Sequence, residues 1–535
     1  MSSGSEIARS SVRASTILLA GNLLSNALLL INAFVVARLL QPIHYGAYSL
    51  SLQPSTVFIL FLGVGVNTSI TRFSAYHISR GEFDEARRKT SNCILFLLII
   101  GAVLAIVSYL SAPFVGAVVL RHAALVPYIK LASIIVFAQA GFQAGISSLI
   151  GYSVLKSSGF SYILQAVVKA SLAPALILLG FGVIGAVFAQ VAGLLSASIF
   201  AVFSIYFLKL RNDGSKIDDL KSFWKDVREA ITFGIPSEIG SNVSNFAGQN
   251  YVVIILGILT TTQIVGYFQT ALALSAIITV ITASSSLSLF AGFSTLYGKQ
   301  GNTSLGFLYV VKYLSYAVAP IIFFLVAASS SSIRLIFGRS YVPAAPLLAL
   351  VAISNLPLVI GQPLFPSYFN GIGKTRFTLY AYLADAVAAF ILAPVLGIYF
   401  RQTGITFSLL GSNFTSGIAA LYLAKKYLGT KIDYKTSILA VAISALCAVP
   451  TYFISTFSSN NSPFLIVFGI VLIQFIIFFG LYLLLAPLVG ILRSDDISRL
   501  KSASSGIKYF SKIFNTVLDI EMRIVSRKGD RAPPK

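Results

Sequence analysis

Glu238, Asn242, Asn245 and Gln249 recur at i, i+4, i+7 and i+11 inside one apolar run of the chain. That spacing puts a carboxylate and three carboxamides on a single helix face nearly three turns long. Carboxamides hydrogen-bond sugar hydroxyls, and a carboxylate in apolar surroundings takes up a proton or a cation. The same stripe also suits a packing seam between helices, and the residues alone leave both readings open. A second face carries Tyr162, Gln165 and Lys169 at i, i+3 and i+7. A lysine there serves as a point counter-charge for phosphate, or forms a structural pair with Glu238 or with Asp385, the other acid within an apolar run. Arg38 and Arg72 stand at opposite ends of the first apolar hairpin. There they either snorkel to headgroups or meet an anion at the two mouths of a path, in the order Arg72, Lys169, Arg38. Asn22 with Asn26, and Gln139 with Gln143, sit at i, i+4 and read first as hydrogen-bonding pairs between helices.

Other chemistries find little support. His44, His77 and His122 lie in different loops and make no metal-ligand pattern, and no Gly-x-x-x-x-Gly-Lys-Ser/Thr loop is present to bind ATP. Cys93 and Cys447 both fall in apolar runs, so no disulfide framework is expected. Asn460-Asn461-Ser462 is a glycosylation sequon in a loop predicted to lie outside. No cofactor is expected.

The elements that position these residues must be membrane helices. A soluble domain carries about 25% charged residues, whereas this chain of 535 residues has 10% charged, 56% hydrophobic and a mean hydropathy of +0.86. Roughly 20 apolar residues cross a bilayer. Fourteen such segments are predicted, at 14–37, 47–71, 92–112, 127–151, 160–180, 183–208, 231–257, 264–293, 306–329, 343–369, 378–399, 404–424, 436–456 and 464–488. The fold class is therefore all-α and polytopic, since an open sheet edge cannot be satisfied in lipid. Ser284 to Ser286, and Pro357, Pro363 and Pro366, mark two of the segments as candidates for kinks. The first apolar run, Ala14 to Ala37, is too long for a cleavable signal.

The net charge of +22 is read as topology rather than nucleic-acid binding. With the N-terminus placed in the cytoplasm, all lysines and arginines but seven fall on the cytoplasmic side. Arg38, Arg121, Lys130, Arg334, Arg339 and Arg401 lie outside and Lys169 in mid-helix. Both termini are then cytoplasmic. The outer loops hold no carboxylate, which argues against a metal-dependent transferase there. Two cytoplasmic stretches have apolar residues at helical spacing: Ile217, Leu220, Trp224 and Val227, and in the tail Ile507, Phe510, Phe514 and Val517. Both suit helices lying on an anionic leaflet or, alternatively, helices that bind a partner. A disordered end is expected from Arg527 to Lys535.

The second half of the chain repeats the first at an offset of 220 residues. Asn22 pairs with Asn242, Gly46 with Gly266, Gly81 with Gly301, Gly151 with Gly371, Lys156 with Arg376 and Tyr162 with Tyr382, and Leu172-Ala173-Pro174 matches Leu392-Ala393-Pro394. Six segments separate the partners, so the repeat is parallel, about an axis along the membrane normal. The implied organisation is an N-terminus (1–13), a six-helix bundle (14–208), an amphipathic linker (209–230), a second six-helix bundle (231–430), helices 13 and 14 (431–490) and a basic tail (491–535).

Two repeats plus two helices resemble a known family. So do Ala37-Arg38-Leu39-Leu40-Gln41-Pro42 with Tyr45-Gly46-Ala47-Tyr48, Gly63-Val64-Gly65 through Arg72, and the Gly-Lys turns at Gly371-Ile372-Gly373-Lys374 and Gly151 to Gly159. The family is that of the polysaccharide-biosynthesis flippases, the O-antigen-flippase-like branch of the multidrug/oligosaccharidyl-lipid/polysaccharide exporter superfamily, and the resemblance covers roughly residues 14 to 488. It implies movement of a polyprenyl- or dolichyl-diphosphate-linked oligosaccharide across the cytoplasmic membrane by alternating access, a cationic cavity for the diphosphate and ion coupling. A membrane protein that moves its substrate rather than transforming it is expected, with a lipid-linked oligosaccharide, membrane lipids and glycosyltransferases or a polymerase of the same pathway as partners. The rival reading is an ion-coupled multidrug or small-cation antiporter of the same superfamily. Arg38, Arg72, Lys130 and Lys169, set against Glu238 and Asp385, favour an anionic substrate.

Overall fold

The computed structural model describes the backbone of residues 2–62, 65–210, 220–298, 301–455, 463–491 and 496–498, with positions 501, 519 and 522, and the side chains of these except 2–20, 220, 235–241 and part of 280–298. The sequon at Asn460, the tail helix from Ile507 to Val517, the end from Arg527 to Lys535, Ile217 and the Glu238 side chain lie outside the described residues.

Among the described residues every regular element is helical. In chain order they are α1 (Ser2–Leu60), α2 (Val66–Ser79), α3 (Phe83–Phe114), α4 (Val126–Ala132), α5 (Ile134–Gly151), α6 (Leu155–Leu176), α7 (Gly182–Ile205), α8 (Leu220–Asn245) and α9 (Tyr251–Leu259). There follow α10 (Thr262–Gly298), α11 (Thr303–Ala327), α12 (Ser329–Phe337), α13 (Ala345–Ile353), α14 (Phe365–Gly371), α15 (Thr375–Leu428), α16 (Tyr434–Ser455) and α17 (Phe464–Val489). Among the described residues ten stretches are long and apolar enough to cross a membrane.

Three of these stretches, of 40, 56 and 54 residues, exceed one crossing of about 30 Å by roughly two-fold or more at 1.5 Å per residue. Each is broken near its middle. Gln41 adopts φ 61° ahead of Pro42, where the proline ring disfavours helical backbone in the preceding residue, and Gln41 Nε2 donates to the Arg38 carbonyl at 2.9 Å. The second stretch breaks from Gly180 to Gly182 and the third at Arg401, φ 49°. Each stretch is thus a helical hairpin, as the sequence segments require.

The breaks follow the 220-residue offset. Phe83 and Leu155 start α3 and α6 and are answered by Thr303 and Thr375 at the starts of α11 and α15. Gly151 ends α5 as Gly371 ends α14, and the turn residues Ser153 and Gly373 both take positive φ. The Phe181 region and Arg401 break the two long hairpins at equivalent positions.

Segment 343–369 is interrupted as its prolines suggest, by short turns at Leu356–Ile360 and Gln362–Leu364 between α13 and α14. The serines at 284–286 stay helical within α10. The segment expected at 47–71 differs from its expected form: α1 stops at Leu60 and α2 restarts at Val66 behind Gly65, whose φ of 85° needs a residue without Cβ.

The chain forms two compact units. One comprises Met1–Ala273 and Asp385–Ile405. In it α1 packs on α6, α6 and α5 on α7, α5 on α3, and α2 on α3, α5 and α8. Its core includes Val66, Ile70, Leu97, Leu149, Ile205 and the free Cys93. The other comprises Leu274–Ala384 and Thr406–Lys535. There α11 packs on α13, α16 and α17, and Phe307 stacks between Phe365 and Tyr368 at 4.9 and 4.7 Å.

The linker helix takes a different seat from the one its apolar spacing suggests. α8 runs unbroken from the linker into the apolar segment. Its buried face is Phe223, Asp226, Val227 and Ala230, whereas Trp224 is 57% exposed. The reason is polar: the buried Asp226 carboxylate accepts from Asn92 Nδ2 at 2.9 Å and lies 3.4 Å from Arg88 Nε, which turns that side of the helix toward α3 and leaves Trp224 outside.

Candidate functional site

Two helix interruptions border one cavity of about 510 Å³. The first is the gap between Leu60 and Val66. The second is a five-residue wide turn at Phe246–Asn250, where Gly248 leaves helical geometry at ψ −113°. The cavity is lined by Thr56, Ile59, Leu60, Asn67, Gln139, Gln143, Asn242, Asn245, Phe246 and Asn250. Six of these ten are carboxamides and none is charged, so the lining offers paired donors and acceptors without a Coulomb preference for either sign.

The amides come from four places. Gln139 and Gln143, one turn apart on α5, face the same way. Asn67 stands in the first turn of α2, and its Nδ2 donates to Gln143 Oε1 at 2.8 Å. Asn67 Oδ1 is buried without a donor among the described residues. Asn242 and Asn245 close the wall from α8, with Asn250 Nδ2 turned to the Asn245 carbonyl at 3.5 Å. Gly234 of α8 allows this approach, since a Cβ on it would collide with the Gly65 carbonyl, and Ser69 Oγ donates to the Ala230 carbonyl at 2.6 Å. On its other side α8 is held by Ser244 Oγ, which donates to Asp385 Oδ2 at 2.8 Å, and by Ala247 packed on Ala386 and Ala389.

The structure thus brings Asn242 and Asn245 together with Gln139, Gln143 and Asn67. Gln249 is exposed and does not line this cavity. The wide turn inserts an extra residue into the helical repeat, so the face continues through Asn250. Asn67 escaped the sequence reading although it follows Gly63-Val64-Gly65 by two residues; a helix restart at a glycine is the signal that points to it. Asn22 and Asn26 bond to each other along α1 at 3.0 Å.

The remaining candidates lie elsewhere. Gln165 and Lys169 share the α6 face that packs on Gly193 of α7, and neither lines the amide cavity. Among the described residues Lys169 has no hydrogen bond or ion pair, and Asp385, buried beside Ser244, is not joined to it. Arg38 is exposed in the last turn before the Gln41 break. Arg72 faces a separate pocket, its guanidinium 3.9 Å from the Phe233 ring centre. Arg38, Arg72 and Lys169 therefore do not share one cavity lining. His77, Glu82 and Glu85 bring one ligand atom each within 4.8 Å of one another, a grouping hidden in the sequence by the intervening turn. His77 Nδ1–H donates to Glu82 at 2.6 Å and lies 3.6 Å from Glu85, and this bonding accounts for the grouping.

The fold has solved counterparts. It is similar to the lipid II flippase MurJ in an inward closed conformation, at 14% identity, with 87% of this chain and 98% of that chain covered and a TM-score of 0.66. It is similar to an inward-facing multidrug resistance MATE family transporter of the MOP superfamily, at 16% identity, 77% and 98% coverage and a TM-score of 0.63. A Vibrio cholerae MATE transporter aligns at 16% identity, 81% and 99% coverage and a TM-score of 0.52. At these identities the likeness is one of fold. No curated protein matches the chain in sequence. The model of the family described as polysaccharide biosynthesis protein matches residues 35–346, more than half of the chain. With a multi-pass helical fold similar to that of these solved structures, the chain belongs to the polysaccharide biosynthesis protein family.

Proposed function

We propose that the protein is a flippase that carries a polyprenyl- or dolichyl-diphosphate-linked oligosaccharide across the cytoplasmic membrane. The observation that carries this reading is the uncharged, amide-lined cavity between two interrupted helices. Broken membrane helices expose backbone groups where a substrate sits near the midplane, and the six carboxamides offer both hydrogen-bond senses to sugar hydroxyls. The cavity's volume of about 510 Å³ falls within the range of about 300–1,000 Å³ usual for small-molecule sites. The parallel repeat supplies two similar bundles (14–208 and 231–430) for alternating access, with 431–490 added and both termini cytoplasmic by the positive-inside rule. Arg38 and Lys169 are the cations proposed to accompany the diphosphate, and Glu238 and Asp385 the groups proposed for ion coupling. Transport, rather than catalysis, is the activity. A glycosyltransferase or polymerase would supply or consume the carried lipid.

The test is leaflet-resolved transport in proteoliposomes, with a fluorescent polyprenyl-diphosphate oligosaccharide and a membrane-impermeant quencher. Wild type is expected to equilibrate the label between leaflets, and Asn67→Leu with Asn242→Leu to slow it at least ten-fold. A wild type that moves no lipid-linked sugar, yet exports an organic cation down an imposed proton gradient, overturns the reading in favour of the antiporter.

A further inference from the structure

A second pocket, of about 980 Å³, lies between the last turns of α2, the first turns of α3 and the linker part of α8. It shares no lining residue with the amide cavity. Arg72, Lys89, Lys225 and Arg228 line it beside Tyr76, Trp224 and Phe233.

The charges there are not balanced. Lys89 Nζ bonds Glu229 at 3.0 Å, which neutralises both, and His77 is occupied by Glu82. Arg72, Lys225 and Arg228 have no carboxylate partner among the described residues, and all three are exposed. Three uncompensated cations thus converge on one concavity. Trp224 and Tyr76 at its rim are 57% and 46% exposed; tryptophan and tyrosine settle at the level of lipid headgroups. The pocket also sits where apolar runs end: α2 gives way to the polar turn at Arg80 to Glu82, and α8 changes from charged to apolar near Ile231. Basic residues in that position are attracted to anionic lipid.

We propose that this pocket binds the phosphate headgroup of an anionic bilayer phospholipid, with Lys225 and Arg228 from the linker helix and Arg72 from α2 as its charge partners. The lipid then bridges α8 to α2 at the membrane surface, where the Ala230 carbonyl already accepts from Ser69 of α2 and Asp226 ties α8 to Asn92 of α3. The site stands independently of what the amide cavity carries.

Native mass spectrometry of the full chain in detergent tests this, with phosphatidylglycerol and phosphatidylcholine offered in equal amounts. Wild type is expected to retain phosphatidylglycerol in preference. In Lys225→Gln with Arg228→Gln, both exposed positions, its apparent affinity is expected to fall about 30-fold, at about five-fold per charge removed. Unaltered thermal unfolding of the variant in lipid-free detergent serves as the folding control. Equal retention of both lipids by wild type, or equal retention of phosphatidylglycerol by wild type and variant, overturns the proposal. Displacement of phosphatidylglycerol by an equal concentration of inorganic diphosphate, or of a short-chain prenyl diphosphate, overturns the bilayer-lipid source and assigns the pocket to a free or a transported phosphate.

Discussion

Gly46 and Gly266, 220 residues apart in the chain, meet backbone to backbone, and each needs the other to lack a side chain. A Cβ on Gly46 would collide with the Thr262 carbonyl and stand 2.8 Å from Gly266 N. A Cβ on Gly266 would collide with the Pro42 carbonyl and stand 3.1 Å from Gly46 N. Pro42 and Thr262 are themselves equivalent under the repeat offset. The contact is therefore reciprocal, as in an isologous interface.

Because the two glycines do the same thing, Gly46→Ala and Gly266→Ala are expected to destabilise by similar amounts. Forcing atoms into a close-packed contact costs about 1–3 kcal/mol, and thermal unfolding in detergent reads it. Gly469→Ala, where a Cβ meets nothing within 4 Å, should leave the midpoint unchanged. A harmless Gly266→Ala beside a damaging Gly46→Ala would contradict the reciprocity.

The wide turn in the seventh segment makes a prediction about neighbours. Asn250→Leu is expected to slow transport about five-fold, for one hydrogen bond of about 1 kcal/mol. Gln249→Leu should leave the rate near wild type. Initial rates of label movement in proteoliposomes separate the two, and the opposite ranking would mean that the helix keeps its regular repeat in the working protein.

Lys169 offers a test of counter-charge against structural pair. Among the described residues it pairs with no carboxylate, so Lys169→Ala should reduce transport while leaving the unfolding midpoint equal or higher. Removing one member of a genuine buried pair instead costs about 3–5 kcal/mol; a loss of that size would identify Lys169 as structural.

Lys312 and Asp496 form such a pair in the second unit. Lys312 Nζ donates to Asp496 Oδ2 at 2.6 Å, Tyr313 donates to the other oxygen at 3.3 Å, and both charged side chains are over nine-tenths buried. Lys312→Ala is expected to cost about 3–5 kcal/mol by stranding the carboxylate. Lys312→Leu with Asp496→Leu should recover most of it, since apolar packing replaces a buried pair at little loss. Chemical unfolding of single and double variants forms the cycle that checks this.

Much of this was legible without coordinates. Crossing segments, the duplication and most helix ends depend on apolar content and on Pro or Gly at particular positions, all read within about 20 residues of chain. Thus Gln41-Pro42 marks the first hairpin and Gly373 repeats the turn at Ser153. The stripe of Glu238, Asn242, Asn245 and Gln249 already suggested a polar wall.

What only the tertiary structure decided is which polar faces meet. Asn67 reaches Gln143 across 76 positions, and the helix restart at Gly65 that permits it lies inside a segment whose hydropathy reads as continuous. Asn250 replaces Gln249 because one inserted residue rotates the face by about 100°, a change that hydropathy does not register. Asp226 seats the linker helix against Asn92 and leaves Trp224 outside, against the apolar stripe. In each case a periodic pattern states that a face is polar or apolar, whereas the partner of that face is chosen by packing between residues far apart in the chain.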